Sequence, residues 1–200
     1  MAITPRDGLR HSRSHRIAQA TNEAHERLDG LVIGYDPFAT RDRFARLVVA
    51  QYLFQYDLEP VYRDPELAAV FGDLGRLSRL EQTRLDLLDL GLVAPEPEAP
   101  ATADADRATR IGWLFVSEGS KLGAASLSKR AATLGLDGDF GARHLAAGPE
   151  GRGRGWKDFT ARLDALDLGP DDEARAENGA AAAFDRFRVL AMEQFADAPV

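Results

Sequence analysis

Apolar positions recur at three- and four-residue spacing along most of this chain, the period of a helix with one buried face. Ile17, Thr21, Ala24, His25, Leu28, Leu31 and Val32 form the first such stripe, which Gly34 and Pro37 end. Thr40 is a good N-cap for a second helix carrying Phe44, Leu47, Val48, Gln51, Tyr52, Phe54, Gln55 and Leu58, closing before Pro60. Asp64-Pro65 supplies an N-cap and a first-turn proline for a third helix through Phe71. Ser78-Arg-Leu-Glu81 has capping-box spacing and introduces Leu85, Leu88 and a stop at Gly91. A long helix over 107–134 ends at Gly135, and two more follow over 156–167 and 171–196.

Between these stripes lie a Pro/Ala/acidic loop at 93–106, the best candidate for disorder, and an irregular glycine-rich stretch at 137–155. No alternating strand pattern of useful length and no internal repeat interrupts the series, so an all-α fold is predicted. At 200 residues the chain is long enough for one substantial core, read as a single domain over 1–200 with residues 1–10 as a tail.

One stretch of the long helix breaks its own pattern. Trp113, Leu114, Phe115 and Val116 begin like a buried helix, and then Gly119 and Gly123, one turn apart, strip the side chains from one face, with Ser120 and Ala124 extending the strip. Each mid-helix glycine costs roughly 0.5–1 kcal/mol relative to alanine, so two imply a close approach. Close packing of a second helix is one explanation. A flat ligand with ordered water beside bare carbonyls is the other, favoured by Phe115 one turn earlier and by polar Ser120 and Lys121 within the strip.

Composition narrows the chemistry. The chain has no cysteine, which removes disulfides, zinc-thiolate and iron–sulfur sites and a cysteine nucleophile together. Four histidines remain: His11, His15, His25 and His144. His25, on the apolar face between Thr21 and Leu28, reads either as a satisfied core histidine or as an axial ligand to haem iron. His11 and His15 have the spacing of a helical metal pair, but no third ligand stands nearby and a solvated face is the better reading.

A net charge of −7 argues against nucleic-acid binding. No apolar run approaches the roughly 18 residues of a membrane span, and the polar, basic start lacks the apolar segment of a secretory signal, making the cytoplasm the expected location. Gly148-Pro-Glu-Gly-Arg-Gly-Arg-Gly155 lacks the Gly-Lys-Ser/Thr ending of a phosphate loop and reads as a flexible turn. Lys121, Lys129, Arg130, Arg143 and Arg152 make one region locally basic, a candidate dock for an acidic partner.

Four segments, in order, resemble the bacterial haem oxygenase family, in particular its short Gram-negative forms. They are Thr21-Asn-Glu-Ala-His25-Glu-Arg-Leu-Asp29, Gln51-Tyr-Leu-Phe-Gln55, Gly112-Trp-Leu-Phe-Val-Ser-Glu-Gly-Ser-Lys-Leu-Gly-Ala124 and Phe140-Gly-Ala-Arg-His-Leu145. The resemblance runs over nearly the whole length. It implies a multi-helical fold with haem sandwiched between a proximal and a distal helix. His25 matches the proximal iron ligand, with Thr21 on the same face. Gly119, Ser120 and Gly123 match the distal helix, and Gln51, Gln55 and Arg79 match a distal hydrogen-bond and water network. Phe115, Phe184 and Phe187 match pocket-lining positions, and Arg130 retains a basic residue that contacts the haem.

The implied activity is oxidative cleavage of haem b, substrate and cofactor together, at a meso carbon to biliverdin, carbon monoxide and ferrous iron. Dioxygen and external electrons are consumed, from a ferredoxin or flavodoxin with its reductase, since no flavin or nicotinamide motif is present. A bacteriophytochrome is a possible bilin acceptor, and a monomer is expected. Two positions depart from relatives that place polar or basic anchors there: Ala18 and Ile33. Which meso carbon is attacked therefore does not carry over. A haem carrier is the alternative reading; it would more often supply a second axial ligand, and Gln51–Gln55 and 112–124 hold no histidine or methionine. Thiamin-degrading relatives on a similar scaffold depend on a cysteine that this chain lacks.

Overall fold

The computed structural model describes residues 12–148 and 151–197; the 1–10 tail, His11 and the centre of the 148–155 turn lie outside them. The α-helices are α1 (Arg13–Gly34), α2 (Arg41–Asp57), α3 (Glu59–Tyr62), α4 (Pro65–Phe71), α5 (Leu80–Asp89), α6 (Arg107–Ala132), α7 (Arg152–Asp164) and α8 (Pro170–Phe195). Two 3₁₀ turns, Leu74–Leu77 and Arg143–Leu145, complete the order. Among the described residues the only β-type pairing is an isolated bridge between Asp137 and Gly141.

The caps that the sequence announces are made. Thr40 Oγ1 accepts from Arg43 N at 3.1 Å, and Asp64 Oδ1 accepts from both Glu66 N and Leu67 N. Gly91 takes φ +79°, and Leu92 N then donates to Leu87 O at 2.9 Å, closing α5 with a Schellman turn. The capping box at 78–81 does not form. Ser78 Oγ accepts only from Leu80 N, because the helix starts at Leu80 and Glu81 is engaged by Arg84 at 2.7 Å. Pro60, read as a terminator, instead opens the short α3. Helix α7 begins at Arg152, ahead of the expected 156, with Gly151 as its N-cap.

Helix α8 is the spine. Both α6 and α1 pack along it, while α1 and α6 make at most marginal contact with each other. The α6–α8 crossing is a backbone contact: a Cβ on Gly112 would lie 2.1 Å from Ala176 O, and one on Gly179 would lie 2.3 Å from Thr109 O. The start of α1 is fixed by Arg13, which is buried and donates to Glu173 of α8 and to the carbonyls of Leu163 and Leu166. The loop expected to be disordered is pinned at its far end: Ala101 N donates to Asp57 Oδ1, Thr102 Oγ1 to Asp57 O, and Arg110 to Ala103 O. No helix among the described residues is long and apolar enough to cross a membrane.

Candidate functional site

His25 stands a little beyond the middle of α1 and is not a core histidine: its side chain is 58% exposed. Asp29, one turn on, sets a carboxylate oxygen 3.4 Å from Nδ1. An anion there favours a proton on Nδ1 and leaves Nε2 with its lone pair outward, the arrangement a metal-ligating imidazole needs. The ring meets Phe184 of α8 edge to face at 5.6 Å. Thr21, one turn before it, is buried with its hydroxyl donated to Ile17 O, so it offers that face bulk rather than a free polar group.

Across the spine, the glycines of α6 divide by role. Gly112 belongs to the α8 contact. At Gly123 a Cβ would meet nothing within 4 Å, and at Gly119 it would meet only the Trp156 ring, at 3.4 Å. No second helix backbone packs there, so helix packing does not explain this half of the strip. Trp156 of α7 lies against Phe115 at 5.3 Å and Phe159 at 5.6 Å, forming an aromatic wall beside Gly119. Phe187 is half-buried and edges onto Phe54. Ser120 Oγ donates to Ser117 O at 2.7 Å, which leaves its oxygen lone pairs for an outside donor.

A polar set lies behind α2. Gln55 Oε1 accepts from Arg79 N at 3.0 Å, and Arg79 donates on to Ala146 O at 3.1 Å. His144, two residues earlier in the same turn, is buried; its Nδ1 lies 2.6 Å from Asp86 Oδ2, which also accepts from His144 N. Burial pushes the Asp86 carboxyl up, but the hydrogen bonds and charge of His144 and the Arg143 N–H hold it below the ordinary carboxylate value. Gln51 Oε1, Arg79 Nε and His144 Nε2 are buried with no protein partner. Such orphans mark positions for ordered water or ligand.

Of the residues singled out in the sequence, His25 and Phe184 meet across α1 and α8, and Phe115 and Gly119 of α6 share the Trp156 ring, while Thr21 and Phe115 are themselves buried. Arg130, near the end of α6, is paired with Asp36 at 3.3 Å and lies 4.4 Å above the Phe38 ring. The expected basic patch is largely spent. Lys121 is paired with Glu118, Arg143 with Asp86 and Asp89, and Arg130 with Asp36; of the patch, Lys129 and Arg152 stand without an ion-pair partner among the described residues, Arg152 donating instead to the Leu145 carbonyl. His144–Asp86 and Trp156 are what residue patterns missed. Asp86 carries no local signal on an otherwise apolar face, whereas Trp156 and Phe159 show helical spacing.

These features fit a flat, iron-bearing ligand: an accessible imidazole on α1, uncovered backbone on α6, aromatic side chains beside it and buried polar atoms left unsatisfied. The heme oxygenase family profile matches residues 11–193. The chain belongs to the haem oxygenase family. It is 50% identical over 195 residues to heme oxygenase PigA of Pseudomonas aeruginosa, covering 97% of this chain and 98% of that one. The fold matches the NO- and CO-bound heme oxygenase of Neisseria meningitidis with a TM-score of 0.88 at 35% identity, over 93% of each chain. Heme oxygenase from Leptospira interrogans, at 16% identity and a TM-score of 0.77, covers 91% of this chain and 99% of that one and shares the fold. As a haem oxygenase, the protein is an oxidoreductase that degrades haem, its substrate and prosthetic group. No finding supports the carrier alternative.

Proposed function

We propose that haem is held between α1 and α6 and opened there at a meso carbon to biliverdin, carbon monoxide and ferrous iron. What supports this reading is an exposed imidazole at His25 on α1 and an uncovered backbone at Gly123 on α6, two helices that both pack on α8. When bound, haem supplies the redox-active iron and the carbon skeleton that is cleaved. The protein supplies position, dryness and hydrogen bonds.

His25 Nε2 would hold the iron, with Asp29 orienting the ring through Nδ1. Gly119 and Gly123 let the α6 backbone lie close to the macrocycle. Ser120 accepts a hydrogen bond from ordered water, and Gln51, Arg79 and His144 anchor more water through their orphaned atoms. This delivers protons through water without a strong acid against the ligand. Phe115, Trp156, Phe184 and Phe187 exclude bulk solvent and wall the slot. Arg130 would pair with a haem carboxylate in place of its exposed bridge to Asp36. Electrons come from a ferredoxin or flavodoxin docking on the basic patch, where Lys129 and Arg152 keep their charges free of carboxylates among the described residues, in the cytoplasm, and the enzyme works as a monomer.

Reconstitution with haem, followed by reductant and dioxygen, tests this. The Soret band is expected to bleach with release of biliverdin. A persistent haem spectrum without bilin overturns the reading and describes a carrier.

A further inference from the structure

A buried cluster on the far side of the glycine segment has no part in the reading above. Glu118 directly precedes Gly119 and is 8% exposed. Its Oε1 accepts from Tyr62 Oη of α3 at 2.9 Å and from Lys121 Nζ at 2.6 Å. The Tyr62 hydroxyl also meets Ser117 Oγ at 2.7 Å, and Lys121 Nζ donates to Leu77 O at 2.8 Å while lying 5.8 Å above the Tyr62 ring.

We propose that Tyr62, Glu118 and Lys121 are positioning residues that set how far the Gly119–Gly123 segment stands from the haem. Helix α6 is keyed to α8 at Gly112 and held near its C-terminal end by Arg41, which donates to Leu134 O. Between those points Gly119 and Gly123 offer no side chains to fix the helix, and glycine makes it pliant. The cluster acts on that span. It ties Ser117, Glu118 and Lys121 to α3 and to the 3₁₀ turn that leads into Arg79, so the glycine backbone and the distal polar set share one anchor.

Burial lowers the Lys121 pKa, with the Glu118 charge opposing it, and burial plus the Glu118 charge raise that of Tyr62 well above its ordinary value. The Arg79 charge reaches both groups, lowering each. A buried ion pair is a weak source of net stability but a good source of a single geometry, and removing one partner strands the other's charge.

This inference rests on the glycine segment being a wall of the haem slot, and four variants separate the two ideas. Lys121→Met leaves Glu118 unpaired; Glu118→Gln/Lys121→Met removes the stranded charge; Tyr62→Phe deletes one hydroxyl; Gly123→Leu fills the slot directly. Amide exchange at 117–124 in the haem-free protein and the C–O stretch of the ferrous carbon monoxide complex are measured for each.

The double variant is expected to regain global stability yet to exchange about tenfold faster at 117–124 than wild type, with α8 unchanged. Its C–O band is expected to broaden or split, and Tyr62→Phe to show the same changes more weakly. If the double variant and Tyr62→Phe both match wild type in exchange and in the C–O band, the cluster serves only charge balance and the proposal fails. If Gly123→Leu binds haem and turns over like wild type, the slot reading fails instead, whatever the exchange data show.

Discussion

Gly112 of α6 and Gly179 of α8 bring two helix backbones into direct contact: a Cβ on Gly112 would stand 2.9 Å from the Gly179 carbonyl carbon. The atoms it would meet are main chain and cannot swing aside. Gly112→Ala and Gly179→Ala are therefore each expected to cost about 3 kcal/mol, at the upper end of overpacking. Urea unfolding reads this; a loss below about 0.5 kcal/mol contradicts the close crossing.

Gly123 predicts the opposite sign. With open space around it, Gly123→Ala should stabilise the haem-free protein by roughly 0.5–1 kcal/mol, because alanine loses less chain entropy in a helix. Gly123→Leu should keep that fold but weaken haem binding and suppress bilin formation. Thermal unfolding of the haem-free proteins and haem titration measure the two effects separately.

His25 is more than half exposed, with Asp29 and the edge of Phe184 as its neighbours. His25→Ala is expected to change haem-free stability by less than about 0.5 kcal/mol and to abolish turnover, with partial recovery when imidazole is added. Undiminished activity without imidazole removes His25 as the iron ligand.

Acid should loosen the turn that carries His144. The Asp86 pKa is lowered in the folded protein, so its contribution is complete above the unfolded carboxylate value, about 3.9, and is lost as pH falls through the lower folded value. Asp64 and Glu173, whose pKa values are lowered by Arg110 and by Arg13 and Arg16 against the cost of burial, add in the same window. Urea midpoints should hold between pH 6 and about pH 5 and fall from there to pH 3. Asp86→Asn should be less stable at pH 6 and show a shallower slope; an unchanged slope refutes the assignment.

Trp156→Ala removes the ring that rests on Phe115, Phe159 and the bare face of Gly119. The expected loss is about 2 kcal/mol, below the full cost of a core aromatic because the ring is only partly buried. Quenching of the haem complex's residual tryptophan fluorescence, compared with wild type, reports whether Trp156 lies against the slot.

Helix periods, caps and stops were legible residue by residue. Thr40, Asp64 and Gly91 act over one turn of chain, and local hydrogen bonding decides them. Ser78–Glu81 was misread because Glu81 had a second suitor, Arg84, on the same turn. The loop at 93–106 looked structureless because the groups that pin it, Asp57 and Arg110, lie on other helices.

By itself the sequence determined an all-helical chain, an imidazole at 25 and a costly bare strip at 119–123, since periodicity and glycine content are local properties. Only the tertiary structure decided that Gly112 serves packing while Gly123 faces open space. It also decided that Lys121 and Arg143 are consumed by internal carboxylates, and that His144 leans on Asp86 with Nε2 left over. Those outcomes depend on which elements meet across α8 and behind α2, and pairing of distant segments is encoded in no single stretch of chain.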